Sequence, residues 1–357
     1  MPPIMGAAAF VMAEFQGVSY TQVMIAAAIP AFFYYGALFA AIHFNALRSG
    51  LKGLPSEELP ILGYIIMRQG HLFLPVIVLL ALLLNGFTPT YAAIIATVAL
   101  VGISWLRPAT GLRLKSCIEG LRDGAVHTVP VAMACAAAGI VIGIVLQTGL
   151  ALRFTAFLVD FTYGSLMAAL LITMVAGIIL GMGMPTTPAY IMQASLLVPA
   201  IIKLGVQPMA AHMFAFYFSC LSAVTPPVAL AVYAAASIGG ASLWRSGVQA
   251  VKFAAAGFLV PFFFVYNPAL LFAGPWPEIL GAVLTGSIGV VALAACMEGH
   301  FLRKASWFER ALFLGAALLL IDPNLMTDLL GFGLLAAGLV IQKLRAADAT
   351  VPEGART

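Results

Sequence analysis

An all-α polytopic membrane fold is what this chain predicts, and three observations carry that expectation. Only 8% of its 357 residues are charged and 63% are hydrophobic, whereas a soluble domain carries about 25% charged residues; so few charges cannot cover a water-facing surface. The apolar stretches are apolar on every face, which excludes the alternating pattern of a transmembrane barrel. Finally, two short apolar runs each begin at a Pro-Pro pair. One reads Met1-Pro2-Pro3-Ile4-Met5-Gly6-Ala7-Ala8-Ala9-Phe10, the other Thr225-Pro226-Pro227-Val228-Ala229-Leu230-Ala231-Val232-Tyr233. Runs of about 10–12 residues make roughly 15–18 Å of helix, half of what a bilayer core needs.

The two runs recur in matching contexts. Each ends at a glycine (Gly17, Gly240). Each precedes a long apolar helix with a proline in an aromatic cluster, Ile29-Pro30-Ala31-Phe32-Phe33-Tyr34 and Val260-Pro261-Phe262-Phe263-Phe264. Broken helices at corresponding places in two repeats mark a secondary transporter, with its binding site at the breaks.

Taken in order, apolar spans are expected at 21–46, 72–85, 91–106, 129–147, 210–237 (broken at Thr225-Pro226-Pro227), 246–266, 279–296, 308–321 and 329–342, about nine in all. Between 165 and 204 lie two further apolar arms. They join at Gly181-Met182-Gly183-Met184-Pro185-Thr186-Thr187-Pro188-Ala189-Tyr190. Two full spans would put this joint in water; a re-entrant hairpin would bury it. The joint holds no charge and two prolines, which favours the hairpin, since irregular backbone at membrane depth survives only when packed in protein or beside a cavity. Amphipathic patterns at 111–122 and 60–69 predict interfacial helices. Gly139, Gly143 and Gly149 are expected to allow close helix packing. The aromatic stripes at 32–35 and 262–264 are expected to pack or face lipid. His127 and His212 fall near span ends, where interfacial roles are expected.

Alternating the spans gathers Arg48, Lys52, Arg107, Arg113, Lys115, Arg122, Arg245, Arg303, Lys304, Lys343 and Arg345 on one side. Only Arg153 and Lys203 fall clearly on the other. The positive-inside rule makes the first side cytoplasmic, C-terminus included. The two half-helices then run in opposite directions, as inverted repeats do. The net charge of +4 is a matter of topology, and no basic patch interleaved with aromatics points to nucleic acid.

No carboxylate is expected in mid-membrane; the polar atoms there are hydroxyls and backbone carbonyls. These suit a weakly held hard cation such as Na⁺, while half-helix N-termini suit an anionic substrate group. The segment 183–187 opposite 222–225 is therefore the expected site. Gly183, Thr186, Thr187, Ser222 and Thr225 are assigned to Na⁺, and Ser219, Tyr190, Thr225 and Pro226 to substrate. Taken singly, such Ser and Thr residues commonly bond their own helix; their clustering beside two proline breaks shifts the reading toward a site. No His or carboxylate pairs with Ser219 or Ser222 in sequence, so no enzyme and no cofactor other than the coupling ion is expected. The four cysteines show no metal spacing.

At these motifs the sequence resembles the large permease subunit of the tripartite ATP-independent periplasmic (TRAP) transporters, most nearly the fused form that works with a TAXI-type solute receptor. The residues that carry the resemblance are Met1 to Phe10, Gly181 to Tyr190, Ser222-Ala223-Val224-Thr225-Pro226-Pro227-Val228-Ala229-Leu230 and Val265-Tyr266-Asn267-Pro268-Ala269-Leu270-Leu271. The resemblance implies an elevator-type, Na⁺-driven importer of organic acids in a bacterial inner membrane, fed by a periplasmic receptor. It divides the chain into the end of a first repeat (1–46), linker and scaffold helices (47–164), the transport-domain hairpin and broken helix (165–237), the last span of the second repeat (238–275), three extra helices (276–345) and a disordered tail (346–357). Family members carry a small-subunit region and a first-repeat hairpin ahead of the stretch matched here. The first repeat is thus expected to be truncated, and an upstream permease half or small subunit to be a partner. The alternative is a non-transporting remnant or assembly partner.

Overall fold

The computed structural model describes residues 6–55, 57–108, 110–321 and 325–349. The first Pro-Pro pair (Pro2, Pro3) and residues 350–357 of the tail lie outside them. Among the described residues there are α-helices, two 3₁₀ turns and no named strand. The helices are α1 (Ala7–Gln16), α2 (Tyr20–Ala26), α3 (Ala28–Arg48), α4 (Leu62–Gln69), α5 (Leu74–Leu84), α6 (Pro89–Ser104), α7 (Leu114–Gln147), α8 (Leu150–Phe161), α9 (Leu166–Gly181), α10 (Thr186–Leu196), α11 (Val198–Lys203), α12 (Pro208–Leu221), α13 (Leu230–Ile238), α14 (Leu243–Phe253), α15 (Ala255–Tyr266), α16 (Trp276–Glu298), α17 (Trp307–Ile321) and α18 (Leu325–Ala349).

Among the described residues, six stretches are long and apolar enough to cross a membrane: Tyr20–Arg48, Leu62–Leu84, Leu114–Gln147, Leu243–Tyr266, Trp276–Glu298 and Met326–Leu344. The other expected spans are present as shorter helices (α6, α17) or as the broken pair α12 and α13. The amphipathic segment 111–122 does not form a separate surface helix. From Leu114 onward it is continuous with the next span in one helix of 34 residues.

The repeat recurs as an order of elements. A half-helix (α1, α13) leads to a short helix (α2, α14), which a bend at an alanine joins to a helix holding a buried proline (α3 with Pro30, α15 with Pro261). Gly17 and Gly240 adopt φ of 63° and 62°, a left-handed conformation that glycine takes without a Cβ penalty. The two proline helices cross where a Cβ on Gly257 would lie 2.8 Å from the Tyr34 ring.

The core centres on α12, ten of whose 14 residues are buried; a helix apolar on all sides belongs in the interior. Phe214 meets Phe218 and Phe262 edge-on, with centroids 4.8 and 5.3 Å apart. The aromatic stripes are therefore mixed: Phe33, Phe262 and Phe264 pack in the core, while Phe32 faces outward. His212 is also interior, not interfacial.

Small residues do permit close helix crossings, but at other positions than Gly139, Gly143 and Gly149, which have nothing within 4 Å of a would-be Cβ. The tight contacts are Gly286 against the Phe33 ring, Gly289 against Ile321, and Gly177 and Gly181 against α10 and α12. The packing of α16 on α3 and α17 thus rests on glycines facing large side chains.

Two carboxylates are buried among the described residues, Glu309 in the first turn of α17 and Glu298 at the end of α16. Glu298 is 1% exposed. It accepts from Asn45 Nδ2 at 2.7 Å and from Gln249 Nε2 at 3.1 Å, while Arg48 donates to its backbone carbonyl at 2.9 Å.

Candidate functional site

α9 runs apolar to Gly181 and stops where the backbone turns through Gly183 at φ 78°. Pro185 precedes α10, and no side chain caps the helix start. The first N–H groups of a helix have no intrahelical partner, so those of Thr186 and Thr187 remain available. On the facing element, α12 ends at Leu221 and the chain resumes as α13 only at Leu230, through the cis Pro226-Pro227 peptide.

Tip and break meet. A Cβ on Gly181 would lie 2.5 Å from Ser222 Oγ, so only a glycine backbone approaches the end of α12 this closely. Gly183 stands beside Val228, 3.9 Å from a would-be Cβ. Next to this contact lies a cavity of about 460 Å³. It is lined by Pro185, Thr186 and Thr187 from the tip, by Phe216, Tyr217, Cys220, Leu221 and Val224 from α12 and the break, by Ala27 at the α2–α3 joint, by Ala31, Tyr34 and Tyr35 from α3, and by Gly6, Ala8 and Val131.

Two helix ends of opposite polarity reach this cavity, the uncapped N-terminus of α10 and the C-terminus of α12. The first offers N–H groups and a partial positive charge; the second carries a partial negative charge on carbonyls that already accept from Ser222, Ala223, Val224 and Thr225, which leaves each one further lone pair or none. Such a pair can hold an anion and a cation side by side.

The expected site residues divide into those at the cavity and those away from it. Thr186 and Thr187 line it. Ser222 lies behind its wall, 1% exposed, and donates to the Ser219 carbonyl at 2.8 Å. Thr225 donates to the Leu221 carbonyl at 2.7 Å. A hydroxyl that donates its proton this way keeps its lone pairs for a cation. Ser219 is buried and donates to the Ala215 carbonyl at 2.9 Å. Pro226 packs against Gly247 of α14. Tyr190 is fully buried, with its hydroxyl 2.7 Å from His212 Nδ1 and its ring edge-on to Phe216. Of the expected site residues only Thr186 and Thr187 are among the cavity-lining residues; Gly183, Tyr190, Ser219, Ser222, Thr225 and Pro226 are not.

Several lining residues escaped the sequence reading. Tyr217, Cys220, Leu221 and Val224 follow the i, i+3, i+4, i+7 spacing of one helix face. Because that face ends at the break, it was the available signal. Gln193 was also missed: a fully buried amide in an apolar arm, it ties the hairpin by donating from Nε2 to the Gly177 carbonyl at 2.8 Å.

The family model described as "Tripartite ATP-independent periplasmic transporter, DctM component" matches residues 1–279. No curated protein and no solved structure matches the chain. The match ends within the first turn of α16, so α16 to α18 lie almost wholly beyond it. The family is one of transporters, and its permeases work with a periplasmic solute-binding receptor. With more than three quarters of its length matched and six membrane-length helices, the chain is a multi-pass membrane permease and belongs to the DctM component family of the tripartite ATP-independent periplasmic transporters.

Proposed function

We propose that this permease imports organic acids through the bacterial inner membrane, driven by Na⁺, with its C-terminus in the cytoplasm. The observation that carries the reading is the meeting of the α10 N-terminus and the α12 C-terminus at one cavity. A carboxylate suits the first end, and a hard cation suits carbonyl and hydroxyl oxygens at the second. Thr187 and Thr225, with backbone carbonyls of the break, would supply oxygens to the ion. The resemblance to fused permeases supports a TAXI-type receptor as the donor of substrate and an elevator movement of the hairpin and broken helix. An inverted-repeat carrier builds its site from both halves. The alternative is an assembly partner that does not itself transport.

The test is uptake of radiolabelled carboxylates into proteoliposomes, with and without the receptor, under an imposed Na⁺ gradient. Thr187→Val and Thr225→Val should raise the Na⁺ concentration for half-maximal uptake while protein levels stay unchanged. An unchanged Na⁺ dependence in both variants would make these hydroxyls structural. Absence of uptake in every combination would favour the assembly role.

A further inference from the structure

The cavity chemistry narrows the kind of acid. This step rests on the carboxylate reading above and would have no object without it. The described residues that line the cavity include no Lys, Arg, His, Asp or Glu. Their character is set by three tyrosines, a phenylalanine and small aliphatic side chains. Tyr34 and Tyr35 stand edge-on with centroids 5.3 Å apart, and Tyr217 is braced edge-on by Phe264 at 5.7 Å. These rings offer apolar faces in a fixed arrangement. A volume of about 460 Å³ falls in the range of small-molecule sites.

We propose that this cavity selects a monocarboxylate carried on an apolar or aromatic body, and discriminates against di- and tricarboxylates and against polyhydroxylated acids. One carboxylate can be met by the free N–H groups at the start of α10 and by a coupling cation beside it. A second carboxylate would lie against alanine, leucine, valine and aromatic rings, where no cationic side chain is at hand. Each carboxylate taken out of water carries a large desolvation cost, so a second one adds its own penalty unless a partner compensates. A polyhydroxylated body fails for another reason: its hydroxyls would lose water without matching partners along the aliphatic wall. An aromatic or branched aliphatic body instead trades water for ring faces and methyl groups.

Cys220 gives a direct readout, because it lines the cavity and is exposed there, whereas Cys296 is buried in α16. The wild-type chain in membrane vesicles containing NaCl is treated with N-ethylmaleimide, and alkylation of each cysteine is followed by peptide mass spectrometry. Cys117, about four turns from the lining residue Val131 along α7, serves as the internal control. The competing acids are phenylacetate, 4-methylpentanoate, succinate, citrate and gluconate at equal concentrations. Phenylacetate or 4-methylpentanoate should slow Cys220 alkylation by about tenfold once the acid is at about ten times its Kd, with Cys117 unaffected. Succinate, citrate and gluconate should leave the Cys220 rate within about twofold of the ligand-free rate at that concentration. Equal or better protection by succinate, citrate or gluconate would overturn the selectivity while leaving the carboxylate site standing. No protection of Cys220 by any of the five acids would overturn the carboxylate reading, and the selectivity with it.

Discussion

Gly181 shows how much of the site depends on one missing atom. Its would-be Cβ meets Ser222 Oγ at 2.5 Å and Ser222 Cβ at 2.8 Å, and a serine is too short to swing aside. Overpacking of this kind costs about 1–3 kcal/mol. Gly181→Ala should therefore lower the thermal unfolding temperature of the detergent-solubilised protein and weaken uptake by pushing the hairpin tip off the break. Gly139→Ala is the matched control, because its Cβ would meet nothing within 4 Å. Alanine there should be neutral or stabilising by up to about 1 kcal/mol, from helix propensity alone. Equal thermal stability of Gly181→Ala and the wild type would show that the tip is not pressed against α12. The sequence marks both glycines as small and says nothing of which one has a neighbour.

At the scale of elements, α14 is held to the C-terminal helices by a polar contact and not by apolar packing alone. Its Gln249 and α3's Asn45 both donate to the Glu298 carboxylate at the end of α16. A buried carboxylate that loses its donors, or donors that lose their acceptor, cost more than the bonds contribute when all are made. Glu298→Ala should lower stability by about 1.5–3 kcal/mol. The double variant Glu298→Ala with Gln249→Ala should cost less than the sum of the singles, because the two groups share one contact. Additive losses in thermal unfolding would mean that Gln249 and Glu298 are not coupled. No sequence signal pointed to Glu298: it ends an apolar helix, as an ordinary interfacial acid would. Its partners lie 253 and 49 residues away, beyond any local pattern.

For the whole molecule, the hairpin and the broken helix must lie at one level, because Thr186 and Val224 line the same cavity. On the proposed re-entrant reading, this tip should be shielded from the cytoplasm unless the carrier opens inward. A cysteine at Thr186→Cys should resist a membrane-impermeant thiol reagent applied from the cytoplasm when the protein is held outward-open or closed. Ready labelling from that side in every state would instead describe two complete spans with the joint in water.

The membrane class, the helical fold, the break at Thr225-Pro226-Pro227 and the interruption between α9 and α10 at Pro185 were all legible in the sequence. Composition, apolar run length and proline act locally: a proline cannot donate a helix hydrogen bond wherever the chain goes, and an uncharged run of sufficient length partitions into lipid whatever its neighbours. Which hydroxyls and rings share a space was decided only by tertiary packing. Tyr190 and Thr187 sit in the same short motif, yet one is sealed against His212 and the other lines the cavity. Tyr34 and Phe33 are adjacent, yet one reaches the cavity and the other fills the groove at Gly286. A helix turns about 100° per residue, so neighbours in sequence face different surroundings. The partner that each one meets is set by helices far away along the chain.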